Sequence, residues 1–255
     1  MQKTPRNPDQ DTGTSDRRYD RLSALMARFQ MRVTPAPTGT GNLVVLGAPA
    51  PRRAVYWPRG DRDDRGPVRL EMRADWDAET NPLLAALPRR VEISADAEPE
   101  AGALLEMLVV EAEARRCGAD GAAARLTEVL LIHMLRAQIA RGATAPGLLS
   151  GLADPRISRA IAAMHDAPGH PWRNADLASV AGLSLSRFAE VFAATVGQTP
   201  MSYLRGWRLT LARRQVAGGA RIKSVARDLG YGSPEALTRA FQAAYGAPPS
   251  RLRAA

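Results

Sequence analysis

Basic side chains are concentrated in the C-terminal part of the chain, where they could attract a polyanion. Residues 151–255 contain 14 Lys and Arg against 6 Asp and Glu, a net charge of +8, whereas residues 1–150 contain 21 against 20. This excess favours nucleic acid as the partner, with an anionic membrane surface as the weaker alternative. One predicted helix carries four arginines that could contact phosphates or form a solvated charged face: Arg205, Arg208, Arg213 and Arg214.

Residues that usually carry catalysis or metal binding are few. Cys117 is the only cysteine, which excludes a disulfide within the chain and a thiolate metal cluster and is typical of a reducing cytoplasm. His133 lies in LLIHML, a core or interface pattern, and His165 and His170 flank a turn. We therefore expect no catalytic residue, no metal site and no cofactor. The alternative is an enzyme with Cys117 as nucleophile, but no His, Gly-rich phosphate loop or carboxylate pair accompanies that residue.

The elements that would position the basic residues form an internal repeat. Residues 154–255 are predicted to be helical throughout, and 176–200 align with 224–249, with one extra residue in the second turn. A small residue, a turn glycine and a capped second helix predict two helix-turn-helix units, at 176–196 and 224–245. The matched pairs are Ala178 and Ala226, Gly182 and Gly230, Phe188 and Leu237, Phe192 and Phe241, Gly197 and Gly246, and Pro200 and Pro249.

The second helix of each unit has one apolar stripe and one free face. We expect Ser184 and Ser233 to cap these helices, with Pro234 at the first helical position. The free face could enter a major groove. A linker helix is predicted at 200–217 and would separate the second helices of the two units. Roughly 16 of its residues span about 24 Å. The residues predicted to be buried are Leu185, Phe188, Phe192, Leu237 and Phe241, together with Tyr203 and Trp207 of the linker helix.

The N-terminal half has a different sequence pattern, with short apolar runs in place of long helical periodicity. We expect a disordered tail at 1–18 and a short amphipathic helix at 20–30. Between residues 31 and 93, apolar runs separated by Pro and Gly predict three short strands and, at 82–88, one or two helical turns. The predicted strands are Leu43–Leu46, Ala54–Trp57 and Val68–Met72.

Two longer helices close this half. They are predicted at 100–116 and 121–141 and form an antiparallel pair that either caps the sheet or provides a dimer surface. Residues 140–155 are predicted to be a linker, with a domain boundary near residue 150. The 255 residues, 45% of them hydrophobic, allow one large domain or two ordinary ones. No run approaches 18 apolar residues, and the N-terminus lacks a signal-peptide core, so we expect no membrane partner.

The two linked units resemble the DNA-binding domain of AraC/XylS-type transcription regulators. The resemblance rests on three motifs: ALTRAF at 236–241 after GYGSPE, the G-x-x-P that ends each unit, and WRLTLARR at 207–214. The N-terminal half resembles the cupin-type sensor of one branch of that family, on DRLSAL, VYWPRG, NPLLAALPRRVEI and the helix pair. This implies an α+β fold: a small, incomplete cupin-like β-region with an antiparallel helix pair over 19–148, then an all-α domain over 154–255.

The resemblance also implies which residues meet DNA. Glu190 stands where such regulators commonly have Arg, so it either reads an unusual base, through a cytosine amino group, or pairs with a nearby Arg. Arg239 either contacts a guanine or a phosphate or forms a structural salt bridge. The implied base-reading positions are Ser186, Arg187 and Glu190 in the first unit and Glu235, Thr238 and Arg239 in the second. The implied phosphate contacts are Ser184, Arg205, Arg208, Arg213 and Ser233.

The cupin-like half departs from its family pattern. A cupin barrel has about eight strands, but only some 60 residues here are strand-like, and the strand region has no His to bind a metal. The implied function is a sequence-specific, double-stranded DNA-binding transcription regulator in the cytoplasm. Its expected partners besides DNA are RNA polymerase, a small-molecule effector and a second copy of the chain. The alternative is a constitutive DNA binder whose shortened N-terminal domain only dimerises or docks a protein.

Overall fold

The computed structural model describes residues 31–60, 62–63, 66–76, 81–141 and 146–253. The predictions for 1–18 and 20–30 lie outside the described residues. The strands are β1 Met31–Pro35, β2 Leu43–Leu46, β3 Arg53–Tyr56, β4 Val68–Trp76 and β5 Val91–Ser94. The helices are α1 Pro82–Ala86, α2 Pro99–Ala114, α3 Ala119–Arg141, α4 Leu148–Ala153, α5 Pro155–Asp166, α6 Asn174–Ala181, α7 Leu185–Val196, α8 Pro200–Ala217, α9 Ile222–Asp228 and α10 Pro234–Tyr245, and a 3-10 helix, Pro249–Arg253, follows.

The five described strands form one antiparallel sheet in the order β1-β4-β2-β3-β5. The predicted strands at β2 and β3 are confirmed to within a residue, and β4 extends four residues beyond the predicted end. Strands β1 and β5 are absent from the sequence prediction. β1 ends in a proline and buries only Val33, so its apolar pattern is weak. The expectation of a mixed fold with a small sheet before a helical region is confirmed.

The two faces of the sheet bury separate apolar clusters. On one face, Leu43, Tyr56 and Met72 belong to the main core, which continues into the helices. The other face carries a small second cluster, whose members are 0–2% exposed. Because successive side chains of a strand point to opposite faces, a strand with both faces covered reads as a continuous apolar run, as LVVL does in β2. The second cluster consists of Val44, Leu46, Val55 and Trp57.

A buried carboxylate ties the loop between β1 and β2 to the second face. Glu71, on β4, is 5% exposed. Its carboxylate accepts hydrogen bonds from the Gly39 amide at 2.8 and 2.9 Å, from the Gly41 amide at 3.2 Å and from Arg62 Nη1 at 2.7 Å. Burial alone would raise the pKa of Glu71, but the Arg62 guanidinium and the two amides outweigh it and lower this pKa.

Glu71→Gln should therefore destabilise the chain by about 1.5–3 kcal/mol at neutral pH, because charge-assisted hydrogen bonds are lost. Since folding lowers the pKa, the ionised carboxylate stabilises the fold above the ordinary value of 4.5, and this stabilisation is lost as the pH falls further. Urea unfolding at pH 7 and pH 3 measures the free energy of unfolding of the native chain and of Glu71→Gln. The difference between these two free energies should be smaller at pH 3. Glu106→Gln, the same change at an exposed position of α2, is the control. An equal loss in both variants would contradict the role given to Glu71.

The predicted helix pair is confirmed as α2 and α3, each within two residues of its predicted ends. The predicted linker at 140–155 is wrong over its second half, where α4 lies. Leu148, Leu149 and Leu152 of this helix are at most 7% exposed. A Cβ added at Gly151 would lie 2.7 Å from Ile161 of α5 and 2.9 Å from Val196 of α7, so α4 is packed tightly against the helices that follow it. The domain boundary itself stays a prediction.

Within the described residues, no individual helix has the length and apolarity needed to cross a bilayer. The pair α6 and α7, bent by 83° relative to each other, reaches that length and composition only when taken together.

Candidate nucleic-acid interface

The first helix-turn-helix unit is α6 and α7. Ala178 of α6 is 3% exposed, and Gly182 turns the chain at φ 69°, in the left-handed region that favours glycine. The hydroxyl of Ser184 accepts the Arg187 amide at 3.4 Å and caps α7, as predicted. These local features fix the angle at which α7 leaves the turn.

Aromatic side chains hold α7 against the linker helix α8. Phe192 lies edge-on to Tyr203, with ring centroids 5.8 Å apart, and tilted to Phe188 at 5.6 Å. His165 is fully buried, with Nε2 2.8 Å from the Tyr203 hydroxyl, and its ring stacks on Trp207 at 3.9 Å. Burial raises the pKa of Tyr203, so its hydroxyl stays neutral. The prediction that Tyr203 and Trp207 are core residues is confirmed.

The second unit, α9 and α10, repeats this construction. Gly230 makes its turn at φ 72°. The Ser233 hydroxyl accepts the Ala236 amide at 3.2 Å, and Pro234 occupies the first helical position, as predicted. Leu237 is fully buried and Phe241 is 2% exposed, so the predicted apolar stripe of this helix is confirmed.

The predicted burial of Leu185 is wrong. Leu185 is 52% exposed at the first position of α7. Leu185 is the first residue of α7 and continues the apolar spacing of Phe188 and Phe192, so helical spacing alone misplaces it. An exposed leucine at the start of this helix offers an apolar contact of the kind that fits a thymine methyl group.

The predicted reading positions of the first unit lie on the exposed face of α7. Ser186 is in the first turn, and Arg187 and Glu190 follow on the same side. Arg187 Nη1 donates to the Glu190 carboxylate at 2.9 Å, and both side chains are more than half exposed. This is the intramolecular pairing that was the alternative role for Glu190. Surface pairs of this kind are weak, so DNA can replace the contact at small cost.

The predicted reading positions of the second unit lie on α10. The Thr238 hydroxyl donates back to the Pro234 carbonyl at 2.9 Å, which leaves its methyl group and lone pairs for other contacts. A hydrogen bond from Ser233 and its own amide lower the pKa of Glu235, and Arg239 contributes. Arg239 is exposed, and no salt bridge of its guanidinium is present among the described residues, although its charge acts on Glu235 one turn earlier, so its contact with DNA stays a prediction.

The five expected phosphate contacts divide into two groups. Ser184 and Arg205 are exposed and Ser233 is partly exposed, all near the starts of α7, α8 or α10. Arg208 is different, because Nε donates to the Pro168 carbonyl at 2.6 Å and Nη2 to the His170 carbonyl at 2.8 Å. Two of its five N–H donors thus hold the loop after α5, a scaffold role, and its contact with phosphate stays a prediction.

Arg213 also contacts protein groups. Its guanidinium carbon lies 5.5 Å from the centre of the Tyr245 ring, a cation–π contact between α8 and the end of α10. Its prediction as a phosphate contact stays a prediction, and its packing against Tyr245 is a second role that helical spacing does not reveal.

A basic cleft beside the start of α10 was missed from the sequence. Arg221, Lys223 and Arg227 line it together with Tyr231 and Ser233. The Arg227 guanidinium donates to Asp228 at 3.0 Å, while Arg221 and Lys223 are exposed. The signal that could have found this cleft is the spacing of basic residues in ARIKSVAR, which leads into the second unit.

The other residues of chemical interest do not converge. Within the described residues, no group of three or more His, Cys, Asp or Glu side chains is arranged to hold a metal ion. Cys117 is exposed after the end of α2, His133 is partly buried on α3, and His170 is exposed in the loop after α5.

Comparisons with known proteins agree with this architecture. Residues 177–255 match a helix-turn-helix domain family, and residues 72–140 match a cupin family. A putative AraC-like transcription regulator of Streptomyces lividans is 38% identical over 175 residues, 67% of this chain and 58% of that protein. Another, of Streptomyces antibioticus, is 44% identical over 133 residues, 51% of this chain and 44% of that protein. The chain therefore carries an AraC-type helix-turn-helix domain and a cupin domain.

The chain spans about half the length of the curated relatives it matches. The crystal structure of the AdpA DNA-binding domain with a target DNA is 26% identical and covers 40% of this chain and 91% of that one, with a TM-score of 0.38. The cupin match begins inside β4, so the resemblance of DRLSAL and VYWPRG lies outside the matched residues and stays a prediction.

Proposed function

We propose that the chain binds double-stranded DNA sequence-specifically and regulates transcription. The AraC-like names of its relatives support this, as does the pair of capped helices, α7 and α10, each of which buries one face and exposes polar residues on the other. Each of these helices would enter one of two successive major grooves. The linker helix α8 has 18 residues, about 27 Å at 1.5 Å per residue, a length of the order of the ~34 Å groove repeat.

DNA would be bound through two kinds of contact, to bases and to phosphates. Bases in one groove would be contacted from α7 by Ser186, Arg187 and Glu190, to which Leu185 adds an apolar contact. Bases in the next groove would be contacted from α10 by Glu235, Thr238 and Arg239. Phosphate contacts fix the register of such a complex and carry little sequence information. For these we propose Ser184, Ser233 and Arg205, to which the cleft adds Arg221 and Lys223.

The N-terminal region would supply control. We infer that the cupin-like sheet and the α2–α3 pair receive a small-molecule effector in the cytoplasm and alter how the C-terminal helices meet DNA or RNA polymerase. An open cleft at the sheet, lined by Asn42, Arg59, Arg73 and Asn81, gives a polar surface on which such an effector could be sought.

A second candidate function keeps DNA binding and replaces the effector by a protein contact. Met107 and Val110 of α2 are 59% and 60% exposed, and Val129 of α3 is 43% exposed. Exposed apolar side chains on a helix pair favour dimerisation or docking. Analytical ultracentrifugation of the full chain tests the self-association that this second candidate includes.

The proposed function is tested by selecting duplexes from a random pool with the full chain and titrating the selected duplex by fluorescence anisotropy. We expect two conserved blocks about one helical turn apart and binding at least about a thousandfold tighter than to random duplex. Affinity should fall as salt rises, because phosphate contacts release counterions. Equal affinity for all sequences would overturn sequence-specific recognition.

A further inference from the structure

The loop between α5 and α6 touches the second helix-turn-helix unit directly. Gly169 of this loop lies against the backbone at the end of α9, and a Cβ added there would overlap the Asp228 carbonyl oxygen. In the opposite direction, a Cβ added at Gly230 would lie 2.5 Å from the Gly169 carbonyl oxygen. The two backbones therefore approach more closely than any side chain would permit.

Hydrogen bonds shape this loop and fasten it to the linker helix. The Trp172 indole donates to the Ala167 carbonyl at 2.9 Å, and the His170 amide donates to the same carbonyl at 3.1 Å. Arg208 of α8 then donates to the Pro168 and His170 carbonyls on either side of Gly169. Burial lowers the pKa of Arg208, as expected for a guanidinium that lies partly inside the protein.

The second unit is attached to the linker helix through a shared apolar core, which includes Val216 of α8 and Val225 of α9. The connection from α8 to α9 contains Gly218 and Gly219, and glycine permits many backbone conformations. Arg213 holds the far end of α10 to α8 through Tyr245. The Gly169 contact lies at the other side of the unit, at the turn before α10, so it restrains the orientation of the unit at a point separate from its packing on α8.

We propose that the 167–172 loop, held by Arg208, sets the angle between the two helix-turn-helix units and thereby the spacing of the two DNA blocks that one chain can read. Arg208 is a positioning residue in this arrangement. The consequence for DNA rests on the proposed function, but the fixed angle is a property of the free protein. When two linked modules must bind one ligand together, the gain in affinity depends on whether their geometry matches it.

Double electron–electron resonance on the full chain measures the distance between two spin labels, one on each helix-turn-helix unit. This distance reports the angle between the units. Spin labels are attached at Ala194→Cys on α7 and Gln242→Cys on α10, both exposed positions, with Cys117→Ser to remove the native thiol. We expect one narrow distance distribution for the otherwise native chain. Gly169→Ala should broaden it by about twofold or more, because the two backbones must separate. Gly206→Ala on α8, where an added Cβ meets nothing within 4 Å, is the matched control and should leave it unchanged.

Arg208→Lys is the second variant, since lysine keeps the charge but lacks the planar fork that reaches both carbonyls. On a selected two-block duplex, Gly169→Ala and Arg208→Lys should each bind about tenfold or more weakly, and on single-block duplexes within about twofold of the native chain. An unchanged distance distribution in both variants would overturn the inference. A native chain with no sequence preference would instead overturn the proposed function, and the distance measurement would still decide the inference.

Discussion

Replacing Phe192 by alanine should destabilise the chain by about 3–5 kcal/mol, the usual cost of removing a fully buried aromatic ring. Phe192 is 0% exposed and contacts the rings of both Phe188 and Tyr203. Its loss leaves a cavity between α7 and α8 that these helices cannot close. Thermal unfolding followed by circular dichroism should show a midpoint lowered by roughly 6–20 °C.

The matched control for this result is Leu185→Ala, on the same helix. Leu185 is also apolar, but it is 52% exposed, so its truncation should change the free energy of unfolding by less than about 0.5 kcal/mol. Similar losses in the two variants would mean that Leu185 is buried in solution and that the orientation of α7 differs from the one described.

Arg239→Ala should weaken binding to the selected duplex by about 1–3 kcal/mol and relax the base preference at one position of the second block. The reason is that an exposed guanidinium on α10 can donate two parallel hydrogen bonds to guanine O6 and N7. Anisotropy titrations of the native duplex, and of duplexes with each base pair of that block changed, measure both effects.

Arg136→Ala removes the same charge from an exposed position of α3 and should leave both quantities unchanged. A loss that is equal on all duplexes would assign Arg239 to a phosphate, because phosphate contacts do not distinguish sequences. Unchanged affinity would show that its guanidinium stays solvated in the complex.

Local signals predicted the helical half well. Ser184 and Ser233 cap their helices, and the linker helix predicted at 200–217 matches α8, because capping residues and proline act on the few residues beside them. The sequence alone could not reveal α4, since LLSGLA is short and contains a glycine, and its helix forms by packing against α5 and α7.

The candidate interface was predictable in its positions and less so in its contacts. A helical arginine at position 208 gives the same pattern whether it meets phosphate or protein, and its carbonyl partners lie 38 and 40 residues away. Likewise, Gly169 looks like an ordinary turn glycine in APGHP until the fold brings the end of α9 against it. Long-range contacts of this kind leave no trace in residue spacing.

The packing of α4 connects the cupin-like half more directly to the first helix-turn-helix unit than to the second. This helix belongs to the core that runs from the sheet into the first unit, and its residue Gly151 touches Ile161 and Val196 with no room for a side chain. Under the proposed function, a displacement of the cupin-like half would reach α7 directly through α4, and α10 through α8 and the 167–172 loop. If, as the proposed function requires, an effector at the cupin-like half changes DNA binding by α7, thermodynamic linkage is reciprocal, and DNA on α7 would change the affinity for that effector by the same factor.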